Sequence, residues 1–271
     1  GRRAVEWLRD VPTDFPAHMF VSFSGPHTPH DPPMEYAERY RGAPMPPAVP
    51  PPESAAYGVP AWLSDPEKVA EMRRMYCAYI ELIDEWIGAM LGVLEERGLA
   101  EETFVIFSAD HGEMLGDLGR LSKSVAYEPS MHVPLIAAGP GIPSGETCEA
   151  MVALADLNPT ICRLAGLPDQ EGIEARSFHR CLEDPSRGHR QHVSAVLTRW
   201  RSVRTPQHKL IEYHHGAPEL YDLGEDPHEQ RNVFAEVQQE RPELIADLRG
   251  RLQADYCTSP HGAPRKWVRE R

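Results

Sequence analysis

Asp110 and His111 stand side by side, directly after the apolar run 103–108 and just before Gly112. In an open α/β sheet, ligand sites gather at the carboxyl ends of the strands. A carboxylate and an imidazole placed there form a candidate pair of metal ligands. The imidazole nitrogen suits borderline cations better than Ca²⁺. Lys123 lies 13 residues beyond Asp110 and would act as a compact point charge on an anionic substrate. His27 and His30 sit in a loop stiffened by Pro26 and Pro29. Either imidazole is suited to meet an anionic oxygen or to give a proton to a leaving group. Taken singly, each residue has an ordinary alternative. These are a satisfied histidine in a capped loop, a solvated lysine and surface histidines.

The elements that must position these residues can be read from periodicity and turn chemistry. Residues 4–11 carry Val5 and Leu8 on one helical face, and residues 18–23 read as a short buried strand running into the loop of 24–33. Residues 34–60 are rich in proline, so they exclude a central strand and a long helix; a surface excursion, or a passive connector, is expected. Ser64-Asp65-Pro66-Glu67 is a helix start, and Val69, Met72, Tyr76, Ile83, Ile87 and Leu94 follow at helical spacing until Gly98 stops the run. Residues 103–108 and 133–138 are apolar runs of strand length, of the kind covered on both faces in a parallel sheet. Asp156-Leu157-Asn158-Pro159 opens a short helix closed by Gly166. Four closely spaced strands within 192–223 then predict an antiparallel sheet, followed by a helix from Pro242 to about Tyr256. The expected fold is therefore α/β over residues 1–170, with a smaller α+β subdomain over residues 171–271.

Charge and length narrow the function. With 28 Lys+Arg against 41 Asp+Glu in 271 residues, the net charge of −13 argues against a nucleic-acid partner. No run approaches the roughly 18 apolar residues of a membrane span. The five cysteines show no CxxC pairing and are expected as mostly reduced thiols. The start, Gly1-Arg2-Arg3, has neither a methionine nor an apolar signal segment, so residue 1 is expected to fall partway through a domain, and compartment and oligomeric state are left open.

In combination the motifs are more specific. The run Ser24-Gly25-Pro26-His27-Thr28-Pro29-His30-Asp31-Pro32-Pro33 resembles the sulfatase family. So does Ser108-Ala109-Asp110-His111-Gly112-Glu113, continuing to Lys123, Tyr127-Glu128-Pro129-Ser130 and Val133-Pro134-Leu135. The likeness continues through Gly139-Pro140-Gly141, Asp156-Leu157-Asn158-Pro159-Thr160, His208-Lys209-Leu210 and Glu219-Leu220-Tyr221-Asp222-Leu223. It runs in one order along nearly the whole chain. The resemblance implies an alkaline-phosphatase-like α/β sandwich, of which this chain holds the C-terminal part of the central sheet. It also implies hydrolysis of a small anionic sulfate ester, with relatives in the superfamily acting on phosphonate monoesters and phosphodiesters.

By the same resemblance Asp110 and His111 bind a divalent cation, Ca²⁺ in the family pattern, with Mn²⁺ or Zn²⁺ left open by the imidazole. Lys123 contacts the sulfate group, His27 contacts substrate and assists the leaving group, and His30 lines the pocket. Departures bear on substrate class. Gly116-Asp117-Leu118-Gly119 stands where many relatives have Gly-Asp-His-Gly, Leu121-Ser122 replaces Trp-Gly before the lysine, and His132 replaces an arginine. The family nucleophile is a formylglycine made within a C/S-x-P-x-R motif, and none of Cys77, Cys148, Cys162, Cys181 or Cys257 has that context. The nucleophile and the paired acids of the metal site are expected in an N-terminal half outside this chain. The segment alone is then expected to be inactive. A non-catalytic module that kept the scaffold is the remaining alternative.

Overall fold

The computed structural model of the chain describes residues 1–52, 58–168 and 173–257. Contacts group it into two units, Gly1–Val105 with Met114–Leu121, and Ile106–Glu113 with the residues from Ser122 onward. The expected division near residue 170 lies outside the described residues.

The first unit is built on a long helix. α1 (Arg2–Asp10) and α2 (Met34–Arg39) precede α3 (Pro66–Glu96). α3 begins where Asp65 accepts a hydrogen bond from the Glu67 amide at 3.1 Å, with Pro66 supplying a helical φ and lacking an N–H to satisfy. It ends as expected at Gly98, whose φ of 67° turns the chain out of the helix. Val5 and Leu8 of α1 pack on Met90, Val93 and Leu94 of α3, and Arg97 donates to the Leu8 and Val11 carbonyls that α1 leaves unpaired at its end.

One expectation needs correction here. Residues 18–23 form no strand: the segment is extended, with Met19, Val21 and Phe23 packed on the α1–α3 core and Phe20 84% exposed. Its side chains alternate as in a strand, but no hydrogen-bonded ladder partner lies beside it among the described residues. The proline-rich stretch also holds a short helix, α2, which opens directly after Pro33. Beyond it the backbone is irregular, yet it is tied down. Arg73 donates to the Pro46 and Leu115 carbonyls and pairs with Asp117 at 2.7 Å, while Arg74 donates to Ala43.

The second unit holds β1 (Val105–Ser108) from Ile106 on, the short helix α4 (Glu128–Met131) and β2 (Leu135–Ala138). β1 and β2 pair, but they are not covered on both faces as their apolar composition predicts, since Phe107 and Ile136 remain exposed. Among the described residues the two strands have only each other as sheet neighbours. α5 (Leu157–Leu164) ends before Gly166 as expected, and α6 (His179–Glu183) follows. Asp156 does more than open α5. Fully buried, it accepts from the Ala153 and Arg176 amides and from the His189 and Arg190 side chains.

The four-stranded antiparallel sheet β3 (Val193–Leu197), β4 (Trp200–Arg204), β5 (His208–Tyr213) and β6 (Glu219–Asp222) is present in that order. Its period of two gives it unlike faces. On one, Val203, Leu210 and Leu220 lie in register and pack against Val237 of α7 (Phe234–Glu240) and Ile245, Leu248 and Leu252 of α8 (Pro242–Cys257). The other aligns Trp200 with Tyr213, Arg204 with Lys209, and Lys209 with Tyr221. No helix among the described residues is long and apolar enough to cross a membrane.

Candidate active site

The five candidate residues are divided between the units: His27 and His30 on the first, Asp110, His111 and Lys123 on the second.

The loop of 24–33 rests on α3 through aromatic side chains. His30 meets the Tyr76 ring edge-on at 5.6 Å, and the Tyr79 hydroxyl donates to Asp31 at 3.1 Å. Gly25 is needed where it stands, because a Cβ there would lie 2.7 Å from the Tyr79 ring. His27 is exposed, and its Nδ1–H donates to the Thr28 carbonyl at 2.7 Å, which leaves proton transfer to Nε2. His30 is the more buried of the two.

Asp110 and His111 follow β1 directly, as the sequence places them. Asp110 Oδ1 accepts from the His111 amide at 3.0 Å, and the carboxylate is otherwise open, its side chain 89% exposed. A carbonyl can only accept, so the 2.8 Å contact of His111 Nδ1 with the Gly112 carbonyl fixes the proton on Nδ1. The Nε2 lone pair is thereby directed outward, the arrangement in which a ligating imidazole is held by its other nitrogen. Nε2 lies 3.6 Å from Asp110 Oδ2, a separation that two ligands of one cation at about 2.0–2.6 Å each can span. The pair thus fits a divalent ion. No cluster of three or more such ligands occurs among the described residues.

Gly112 fixes this pair against α4. Its amide donates to the Ser130 carbonyl at 2.9 Å, and a Cβ at this position would lie 2.0 Å from the Pro129 carbonyl oxygen. Only glycine permits that approach.

Lys123 is half-buried, in a loop with unusual backbone: Ser122 and Ser124 on either side have φ of 65° and 73°. Left-handed conformations at residues with side chains cost about 1–3 kcal/mol each and persist only where surroundings impose them. The surroundings are the second face of the β3–β6 sheet. The Trp200 indole N–H donates to the Ser124 carbonyl at 2.8 Å. Three tyrosine hydroxyls, of Tyr127, Tyr213 and Tyr221, converge on Glu219 Oε2 at 3.0, 3.1 and 3.0 Å. Burial first, then the Glu219 charge, pushes the Tyr213 and Tyr221 phenols far above their ordinary value. Next to them Lys209, 2% exposed, places Nζ 2.6 Å from Glu128 and 2.7 Å from Glu229. Arg204 and His132 also pair with Glu128, and Glu229 accepts from the Glu128 amide at 2.7 Å.

These charges titrate in opposite senses. Burial raises the Glu128 carboxyl, but His132, Lys209 and Arg204 outweigh it and hold the group well below the usual carboxylate range. The same contact raises His132 above the usual imidazole value. Glu229 is more deeply enclosed, so burial wins over Lys209 and its carboxyl is raised. Trp200, Glu128, Lys209 and Glu229 were not singled out as functional by sequence reasoning. The one available signal is a lysine within the apolar strand His208–Tyr213, which demands a buried counter-ion.

Comparison with known proteins agrees with the motifs. A family model described as Sulfatase matches residues 2–167, and one described as N-sulphoglucosamine sulphohydrolase, C-terminal, matches residues 116–256. The chain belongs to the sulfatase family, and its α/β fold is that of the alkaline phosphatase superfamily. It is 32% identical over 198 residues to arylsulfatase K of Gallus gallus, which covers 67% of this chain and 36% of the relative. A solved structure described as in complex with its substrate, D-glucosamine-2-N,6-O-disulfate, superposes with a TM-score of 0.67 at 25% identity, over 84% of this chain and 47% of that one. The phosphonate monoester hydrolase of Agrobacterium radiobacter shares the fold, with a TM-score of 0.75 at 24% identity over 91% of this chain and 59% of that one. The chain spans about half the length, or less, of the curated relatives it matches, from 36% to 52%.

Proposed function

We propose that this chain is the C-terminal portion of a metal-dependent sulfuric ester hydrolase. The observation that carries the reading is the Asp110–His111 pair, with Oδ2 and Nε2 3.6 Å apart and Nδ1 tied to the Gly112 carbonyl. Asp110 and His111 hold the divalent cation, Ca²⁺ by family pattern or Mn²⁺ or Zn²⁺ by ligand chemistry. When bound, the cation supplies positive charge at the ester oxygens. Lys123 adds a second positive charge at the same anionic group, where charge shifts as the ester bond breaks. His27 offers a proton to the departing alkoxide through Nε2, and His30 lines the pocket beside it. The formylglycine nucleophile and the remaining ligands belong to a segment outside this chain. The exposed Phe107 and Ile136 on otherwise strand-like apolar runs support that division.

Two experiments test the reading. Equilibrium dialysis of the 271-residue chain with Ca²⁺, Mn²⁺ or Zn²⁺ should show weak binding that Asp110→Asn with His111→Ala abolishes. The complete enzyme should hydrolyse 4-nitrophenyl sulfate, whereas the segment alone should not. Turnover by the segment alone would overturn the division of the site. A second reading, a phosphonate monoester or phosphodiester substrate, is favoured by the imidazole at His111. Parallel rates on aryl sulfate and aryl phosphonate esters decide between them. Loss of neither activity on removing Asp110 would leave a scaffold without catalysis at this pair.

A further inference from the structure

Lys123 is a point charge at the end of a flexible four-carbon stem, so its placement depends on the backbone that carries it. That backbone has a defined hold downstream of Lys123. Ser122 and Ser124, flanking Lys123, both take left-handed conformations that serine does not adopt by local preference. Downstream the loop is anchored where Ala126 and Tyr127 are buried and where Tyr127 donates to Glu219. The anchor next to Lys123 is the bond from Trp200 Nε1 to the Ser124 carbonyl, 76 residues away in sequence.

We propose that Trp200 is a positioning residue for Lys123, holding it through the carbonyl of Ser124. The inference rests on the reading of Lys123 as the lysine that meets the anionic end of the ester. Trp200 suits the task for three reasons. An indole has a single donor and no acceptor, so its direction is unambiguous. The ring is 5% exposed and paired in register with Tyr213, which leaves it little freedom. Its strand belongs to a sheet whose opposite face is packed by α7 and α8, so the donor sits on a rigid platform. Losing the bond frees the Ser124 carbonyl and the left-handed turn, and shifts the Lys123 Cα while the sheet stays intact. A displacement of about 1 Å in a positioned group can cost on the order of 100-fold in rate.

The test is a double-mutant cycle in the complete enzyme, assayed as kcat/KM on 4-nitrophenyl sulfate. The variants are Trp200→Phe, Lys123→Ala and both together. Replacement of Trp200 by benzothienylalanine, which keeps the bicyclic shape and loses only the N–H, guards against a packing defect. We expect Trp200→Phe and the benzothienyl variant to lower kcat/KM by about 10- to 100-fold. In the Lys123→Ala background the same change should cost less than about 3-fold, because its route of action is already gone. Divalent-metal affinity should stay near the parent value. If the two losses multiply, or if the benzothienyl variant retains full activity, Trp200 does not act through Lys123 and the proposal fails. If Lys123→Ala itself leaves kcat/KM unchanged, the role of Lys123 fails first, which separates the two outcomes.

Discussion

Lys209→Met should be among the most destabilising substitutions on the second face of the β3–β6 sheet. Methionine follows the aliphatic stem of lysine, so packing changes little, by less than about 1.5 kcal/mol. The charge does not. Lys209 is 2% exposed and neutralises Glu128 at 2.6 Å and Glu229 at 2.7 Å, and Glu229 is itself 1% exposed. Removing one partner of a buried ion pair strands its counter-charge, at a cost of about 3–5 kcal/mol. Total stabilities are about 5–15 kcal/mol, so roughly a fifth or more of the stability is at stake. Urea titration at pH 7.5, read by hydrogen exchange in β4 and β5, would report the loss within this unit.

The sign with pH follows from the carboxylates. Glu128 is held low in the folded protein, so its contribution is fully present above its ordinary value of about 4.5 and drains away as pH falls through its depressed one. Without Lys209 both carboxyls are free to protonate at higher pH. The cost of the mutation should therefore be largest near pH 7–8 and shrink toward pH 4–5. A triple variant, Lys209→Met with Glu128→Gln and Glu229→Gln, should recover at least half of the loss, since it leaves no stranded carboxylate, and Arg204 and His132, which also pair with Glu128, reach solvent. A loss below about 1 kcal/mol at pH 7.5, or no recovery in the triple variant, would refute the claim that charge balance holds this face together.

Other consequences are narrower. Gly112→Ala should destabilise by about 1–3 kcal/mol in chemical denaturation and weaken metal binding by the Asp110–His111 pair, because its Cβ meets the Pro129 carbonyl oxygen. Asp156→Asn should cost about 3–5 kcal/mol by leaving the Arg190 guanidinium without its buried partner, measured by urea unfolding. Burial tends to raise the Asp156 carboxyl, but Arg190 and two backbone amides hold it low, so its stabilising effect is full above its ordinary value of 3.8 and lost as pH falls below it. In ultraviolet titration, Tyr213 and Tyr221 should stay protonated until the alkaline unfolding transition, since burial and Glu219 raise both. Ionisation of all the phenols near pH 10 in the folded protein would contradict the enclosed tyrosine cluster.

What the sequence makes legible is what neighbouring residues decide. The start of α3 depends on Asp65, Pro66 and Glu67, and its stop on Gly98, so both can be read locally. Asp110 and His111 are adjacent, and their place after β1 follows from one apolar run. The four strands and last helix of the second unit show the same clarity of spacing. The residues 18–23 mark the limit: side-chain alternation predicts a strand, but a strand also needs a partner, which composition does not reveal. α2 was hidden by the prolines around it. Trp200 is invisible for a related reason, since its partner lies far away along the chain, and Lys209 within an apolar strand shows that a counter-ion is needed but not which. Those contacts exist only once the sheet has formed, and no local pattern encodes them.

The bond between the Glu128 amide and Glu229 joins residues 101 apart. At synthesis rates of about 5–20 residues per second, roughly 5–20 s separate the two on the ribosome. Throughout that interval the segment bearing Lys123 has emerged without the groups that complete its surroundings. A nascent chain arrested short of Glu229 presents Lys209 with one carboxylate rather than two, and leaves the Glu128 amide unanswered. The geometry around Lys123 is thus completed only once the chain has been made through Glu229.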